Sequence, residues 1–249
     1  MSSVRMLRLS AGGLVLCQGN NSYLKLVNVL LNGCRLVVKD GAEAVLEDVA
    51  LQNLGNAPTV VVSGRDTKLR AADVTIFADY GMLVERGASL TGEGVCVQEA
   101  RAQGVCAKDI GTWLTLSNSH IHCTSRHALH CAAVDAANRA CAALYKCTLT
   151  GFPEGVSIAS DAVVILTGCT LNMVCASSSR VGVTVCVGCV LWEETTVLNT
   201  AGSWIRLVSV DPRVQDRLAM RVQQAAVIHA DTRTVTDSVM CDVDGESIV

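Results

Sequence analysis

The sequence predicts an all-β fold in which the chain coils about eight times through parallel sheets and ends in a short helix. Three observations lead to this prediction. An eight-residue pattern with apolar residues at positions one, three, six and eight occurs eight times. Position five of most copies is Asn, Asp or Gly, residues that tolerate a left-handed backbone. Aromatic residues make up 3% of the chain, so the core must rest on many small, stacked contacts, as in a repeat protein.

Each copy of the pattern is predicted to form two short strands joined by a bend. Positions one and three share a strand face, as do six and eight, because side chains alternate along a strand. The step from three to six breaks this alternation, so a one-residue corner is expected at position five. Cys147 and Cys169 occupy position six, where other copies mostly have Val, which predicts that both thiols lie in the core. The copies span residues 24–31, 44–51, 69–76, 90–97, 114–121, 142–149, 164–171 and 190–197.

A second family of strands precedes the copies. It includes residues 36–41, 81–87, 104–109 and 155–161. Three short strands per turn of about 23 residues, with turns about 4.8 Å apart, describe a coil of parallel sheet about 40 Å long for eight turns.

The two ends of this coil are predicted to be covered by other segments. Residues 4–9 are a candidate capping strand, and residues 203–210 are the expected last strand. Asp211 and Pro212 then begin a predicted helix. The domain prediction is therefore a coil over 1–211, a capping or docking helix over 212–228, and a polar tail over 229–249. The tail is expected to be either flexible or ordered by a neighbouring protein.

Two strands with an Asn or Gly corner, repeated in this way, resemble the pectin-lyase-like superfamily over about residues 14–210. The resemblance implies a right-handed parallel β-helix of about eight rungs, with a short C-terminal helix. That superfamily includes polysaccharide lyases and hydrolases as well as non-catalytic binding and scaffold proteins, so the fold does not select a function. A leucine-rich-repeat horseshoe is the alternative fold. The corner Asn and the missing leucine consensus argue against it.

A short segment holds four of the five histidines: His120, His122, His127 and His130. Because Ile121 is an inward-facing position of its copy, His120 and His122 are expected to point outward, with His127 in a loop and His130 outward on the next strand. A zinc ion needs three or four converging ligands. The spacing does not establish that convergence, so these residues are candidate metal ligands and a solvated histidine patch is the favoured interpretation. No cofactor is predicted.

Two columns of outward residues are expected beside each other on the second strand family. Enzymes that resemble this chain usually carry carboxylates, or a calcium ion held by carboxylates, on the outer face of one sheet. Here opposite charges alternate up the stack, which favours a surface ladder of cross-strand pairs. The Asn-Thr-Asp, Asp-Asp and His-Gly motifs of the polygalacturonase group are missing, and no catalytic residue is predicted. The columns are Lys39, Ser63, Glu85 and Lys108, and Asp40, Gly64, Arg86 and Asp109.

The composition favours an intracellular protein. Thirteen cysteines without an apolar signal segment predict reduced thiols in the cytoplasm, and a net charge of −3 gives no reason to expect nucleic acid. Neither membrane insertion nor a small-molecule ligand is expected. The predicted function is a non-catalytic scaffold that binds other proteins of a larger assembly, such as the ciliary axoneme in the cytoskeleton. The alternative is a polysaccharide lyase or glycoside hydrolase that depends on Asp40 or Asp109.

Overall fold

The computed structural model describes residues 3–4, 13–123, 132–172, 181–185, 188–193, 195–198, 205–207, 241–243 and 246–248. Within these residues the chain is all-β and forms a parallel β-solenoid, as predicted, with no helix. It has about seven turns, where the sequence predicts about eight rungs. The strands form two sheets, called A and B below.

Sheet A has 14 strands and is built from the repeated eight-residue pattern. In the first turns each copy forms one long bent strand, and from β9 onward each copy is divided into two short strands at its corner. The strands are β1 (Ser3–Val4), β3 (Tyr23–Asn32), β5 (Glu43–Asn53), β7 (Lys68–Ala78), β9 (Ser89–Glu93), β10 (Cys96–Gln98), β12 (Trp113–Ser117), β13 (His120–His122), β15 (Cys141–Tyr145), β16 (Thr148–Thr150), β18 (Ala162–Thr167), β19 (Thr170–Asn172), β21 (Gly188–Glu193) and β22 (Thr196–Leu198).

Sheet B has 11 strands and contains the second strand family. All its pairings are parallel except the last, between β24 and β25. The strands are β2 (Gly13–Gln18), β4 (Cys34–Lys39), β6 (Val60–Ser63), β8 (Tyr80–Glu85), β11 (Gln103–Lys108), β14 (Ala132–Ala137), β17 (Glu154–Ile158), β20 (Val181–Val185), β23 (Ile205–Leu207), β24 (Cys241–Val243) and β25 (Glu246–Ile248).

The eight copies stack in the register that their sequence pattern predicts. Position one of every copy pairs with position one of the next, and the same holds for positions three and eight. From the second copy to the seventh, these inward side chains are buried in one continuous core, with Leu116 and Leu144 at 0% exposure. Cys147 and Cys169 are each 1% exposed, which confirms that these thiols belong to the core.

The corners have the left-handed backbone that position five predicts. All seven corner residues in the described part of the chain have positive φ, between 48° and 63°. Lys146 is the unexpected member, because a lysine gains no local side-chain hydrogen bond that would favour this conformation. The other six are Asn28, Asp48, Asp73, Gly94, Asn118 and Gly168.

Buried threonines connect the tight turns that link sheet B to sheet A. Thr67 Oγ1 donates to the Ser63 carbonyl at 3.0 Å and accepts from the Gly41 amide of the neighbouring turn at 2.9 Å. Thr112 Oγ1 accepts from the Gly87 amide at 3.0 Å in the same way. Each hydroxyl thereby satisfies a main-chain donor that would otherwise lose its hydrogen bond on burial.

The structure describes only short pieces of the two ends of the coil, so the predicted domain boundaries stay a prediction. At the N-terminal end, β1 pairs with β3 and provides a short cover. At the other end, β23 lies inside the predicted last strand, and β24 and β25 lie inside the predicted tail. The predicted helix over 212–228 lies outside the described residues.

Candidate functional site

The histidine segment is placed as its register predicts for the two residues that the structure describes. Ile121 is buried, His120 is exposed and His122 is half-buried. The two rings lie on the same outer face with their centroids 5.9 Å apart and an interplanar angle of 56°. Burial, and then the nearby charge of His122, lower the pKa of His120. His120 is therefore disposed to stay neutral, and the two rings share one surface.

The structure does not bring further ligands to this pair within the residues it describes. Cys123, whose direction the sequence left open, is 3% exposed and packs in the core, away from the outer face. Over the described ranges no group of three or more His, Cys, Asp or Glu side chains is placed to hold a metal ion. His127 and His130 lie outside the described residues, so their part in a metal site stays a prediction.

The first of the two outward columns is a ladder of polar contacts. Glu85 accepts a hydrogen bond from Ser63 Oγ at 3.1 Å on one side. On the other side its Oε2 lies 3.0 Å from Lys108 Nζ. The hydrogen bond with Glu85 raises the pKa of Lys108, so the lysine is held in its charged form. The predicted cross-strand ladder is confirmed at these three residues.

The two carboxylates of the enzyme alternative lie in separate tight turns. Asp40 accepts a hydrogen bond from Gln18 Nε2 at 2.8 Å, and Asp109 accepts from the Arg86 amide at 3.3 Å. Asp40 follows β4 and Asp109 follows β11, three turns further along sheet B, which corresponds to about 14 Å. Paired glycosidase carboxylates lie about 5–9.5 Å apart, so these two do not form such a pair.

A polar cluster that the sequence did not reveal lies on the outer face of sheet B. Asp135 accepts a hydrogen bond from Gln103 Nε2 at 2.8 Å, and Cys106 Sγ lies 3.9 Å from the same carboxylate oxygen. Burial raises the pKa of Asp135, and its hydrogen bonds with Gln103 and Ser157 partly offset that rise. The cluster forms because Cys106 and Asp135 are register partners in β11 and β14, 29 residues apart.

This cluster has the chemistry of a structural site and not of a nucleophile. Burial, and then the charge of Asp135, raise the pKa of the Cys106 thiol to about 12. Cys106 is 7% exposed, so it is a protonated and shielded thiol at neutral pH. Catalytic cysteines have the opposite surroundings, with a nearby cation and a lowered pKa. The signal for this cluster in the sequence is that Gly-Val-Cys-Ala at 104–107 can be aligned with Ala-Val-Asp-Ala at 133–136, which places Cys106 beside Asp135.

A shallow groove of about 260 Å³ runs along the corner of the first turns. Asn28, Asp48 and Asp73 line it on successive turns, together with apolar residues of β3 and β5. Two carboxylates and one amide provide few of the roughly six to eight oxygens that Ca²⁺ takes. All three residues are exposed and have the left-handed backbone of a corner. The bend itself therefore explains why the same geometry recurs on successive turns.

The outer face of sheet A is charged in its lower turns, defined here as β3, β5 and β7. Lys25 Nζ lies 2.7 Å from Glu47 Oε1, and Arg70 Nη2 lies 3.9 Å from Glu43 Oε1. The hydrogen bond with Glu47 raises the pKa of Lys25. These exposed cross-strand pairs are what a solvated sheet surface is expected to carry.

The same face is uncharged in its upper turns, defined as β12, β15 and β18. These three described strands contain no Asp, Glu, Lys or Arg. Trp113 is 55% exposed and Tyr145 is 40% exposed, while Val163 and Ile165 are half-buried. We call this surface the uncharged face; its outward residues are Trp113, Thr115, Ser117, Cys141, Ala143, Tyr145, Val163, Ile165 and Thr167.

The uncharged face is suited to cover by another macromolecule. Three strands of five residues span about 10 by 16 Å, or about 160 Å², so the face would be one part of a contact to which each partner contributes roughly 800 Å². Exposed Trp and Tyr are enriched in the cores of such contacts, and a rigid sheet holds them with little loss of entropy on binding. The sequence contains this signal as three consecutive outward sets without charge, in the copies at residues 114–121, 142–149 and 164–171.

Comparison of the chain with protein-family models, with curated proteins and with solved structures found no match. Among the described residues no helix has the length and apolar character needed to span a membrane.

Proposed function

We propose that this protein is a non-catalytic interaction module, a rigid β-solenoid that binds another protein through the uncharged face of sheet A. The observation that supports the proposal is the change along one sheet, from paired charges in the lower turns to exposed Trp113 and Tyr145 in the upper turns. A face that only contacted water would have no reason to lose its charges over three consecutive strands.

The energy available at this face is adequate for recognition. Burying the exposed part of Trp113 removes roughly 100–140 Å² from water, which corresponds to about 3 kcal/mol. In the register of the sheet, Trp113 lies at one end of β12 and Tyr145 at the opposite end of β15, and Thr115, Ser117 and Thr167 provide hydroxyl groups beside them. Trp and Tyr are the side chains that often carry most of the binding energy of a protein–protein contact.

The experiment is affinity capture from the cells that express the protein, with quantitative mass spectrometry of the retained proteins. The test variant carries Trp113→Lys and Tyr145→Lys. The matched control carries Tyr23→Lys and Gln52→Lys, which add the same charge to exposed positions in the lower turns of the same sheet.

We expect a defined, stoichiometric set of proteins on the wild type and on the control, and its loss from the test variant. Retention of the same set by all three chains, or of no protein at stoichiometric amount by the wild type, would contradict the proposal. Circular dichroism of each variant establishes that the substitutions leave the β-solenoid folded.

A further inference from the structure

Strand β2 is the first strand of sheet B in the described part of the chain, and one side of its backbone has no partner among those residues. The Gly19 amide donates to the Lys39 carbonyl of the next turn at 3.1 Å. Main-chain groups alternate in direction along a strand, so Val15 and Cys17 also face β4, whereas the amides and carbonyls of Leu14 and Leu16 point away from it. In the described part of the chain no strand pairs with β2 on that side.

The side chains of β2 lack the features that normally protect an edge strand. Leu14 is 54% exposed and Leu16 is 48% exposed, and both lie on the outer face. Val15 points inward and is partly buried against the core. The strand reads Gly-Leu-Val-Leu-Cys-Gln, with neither a charge nor a proline. An apolar edge of this kind is a template for another strand.

We propose that two copies of this chain associate through their β2 strands, paired antiparallel about a two-fold axis at Val15. Directly opposite residues in an antiparallel pair lie on the same face, so an outward residue must meet an outward residue. With the axis at Val15, Leu14 of one copy lies opposite Leu16 of the other, and Val15 lies opposite its own symmetry mate.

The hydrogen-bonding pattern agrees with this register. Opposite residues of an antiparallel pair alternate between those that exchange two hydrogen bonds and those that exchange none. Leu14 and Leu16, whose main-chain groups point to the open side, become the hydrogen-bonded pairs. Val15, whose groups already face β4, becomes the non-hydrogen-bonded pair on the axis. Every open main-chain group of these two leucines thereby gains a partner.

A second copy also fits the side-chain surface beside the edge. The outward column of Leu16 continues through Val37, Val61 and Leu83 on the next three strands. With the axis at Val15, the Leu16 column of each copy meets Leu14 of the other copy, whose own column continues to Arg35. The apolar contact across the axis is therefore made by Leu14 and Leu16 of both copies. The contact is isologous and closed, so it yields a dimer and no larger polymer. It lies on sheet B and does not depend on the uncharged face of sheet A.

The test measures the mass of the full chain by light scattering across a dilution series, in reducing buffer so that its cysteines do not form disulfides. The proposal predicts a concentration-dependent rise from 26.2 kDa to twice that mass. In Leu16→Lys the two like charges near the axis and the lost apolar contact should weaken the dimer by about tenfold or more. Leu54→Lys, which changes a leucine that is 59% exposed elsewhere, should leave it unchanged.

A second measurement uses the wild type alone, so it holds even if Leu16→Lys fails to fold. Hydrogen–deuterium exchange of the peptide covering β2 should slow at concentrations where the mass has doubled, and exchange of the other strands should not. The proposal is overturned by a mass that stays at the monomer value, by a mass that grows beyond two copies, or by a dimer in which β2 exchange is unchanged.

Discussion

Gly92 and Leu116 occupy position three of adjacent copies, and their packing offers a quantitative test of the stacked register. A methyl group added at Gly92 would lie 2.8 Å from Leu116 Cδ2 and 2.7 Å from Val95 Cγ2, both too close. Overpacking should therefore destabilise the Gly92→Ala variant by about 1–3 kcal/mol. Replacing a glycine inside a strand should offset about 0.5–1 kcal/mol of that cost.

The free-energy cost of Gly92→Ala should fall when the neighbouring leucine is shortened. Leu116→Ala removes the Cδ2 atom that opposes the new methyl group, and by itself it should cost about 2–5 kcal/mol because Leu116 is fully buried. In that background Gly92→Ala should cost about 1 kcal/mol less than in the wild type, since one of its two close contacts is gone and the methyl group partly fills the cavity.

The assay is a double-mutant cycle measured by urea denaturation and followed by the fluorescence of Trp113, which lies on the same strand as Leu116. Replacement of Trp192 and Trp204 by Phe in all chains makes the signal report these turns, because a repeat array need not unfold in one step. Leu54→Ala, at a leucine 59% exposed, is the control and should cost little. Costs that add to within about 0.3–0.5 kcal/mol would refute direct packing between the two positions.

Three further predictions concern other parts of the molecule. Because burial raises the pKa of Asp135, its ionisation opposes folding as pH rises through the folded-state pKa. Asp135→Asn should therefore raise the urea midpoint more at neutral pH than at about pH 4, and an equal effect at both would contradict this. Gly104→Ala should destabilise the protein strongly, because the new Cβ would overlap the main-chain carbonyl of the next turn. Gly55→Ala should destabilise it only mildly, because the new Cβ lies near a side chain that can move. Comparable melting temperatures for the two variants would argue against the close approach at Gly104. The Cys106 thiol, with a pKa raised to about 12, should react with iodoacetamide far more slowly at neutral pH than the partly exposed Cys96, as peptide mass mapping would reveal.

The repeat was predictable because its signal is local. Apolar residues at positions one, three, six and eight fix which side chains face inward, and Asn28 or Asp48 at position five marks the bend. Lys146 takes the same left-handed conformation although its type does not favour it. The stacked neighbours impose the corner there, so at this position tertiary packing overrides the local preference.

The polar cluster of sheet B was not predictable from the repeat. Cys106 and Asp135 are 29 residues apart and meet because they are register partners in β11 and β14. The turn between them is longer than the period of about 23 residues, so the period alone does not align them. The pattern gave no copy of the second strand family at β14, so their register was undefined. The uncharged face was missed for a different reason. Its signal is that three consecutive strands, which carry Trp113 and Tyr145, contain no Asp, Glu, Lys or Arg.

Site-specific photo-crosslinking tests the central proposal, recognition through the uncharged face, most directly. A photoreactive phenylalanine analogue placed at position 113, and in a second chain at position 70 of the charged lower turns, would be irradiated in the cells that express the protein. Both positions are exposed on the same sheet. We expect a defined protein adduct from position 113 and none from position 70. Adducts of equal yield from both positions, or none from position 113, would contradict recognition through the uncharged face.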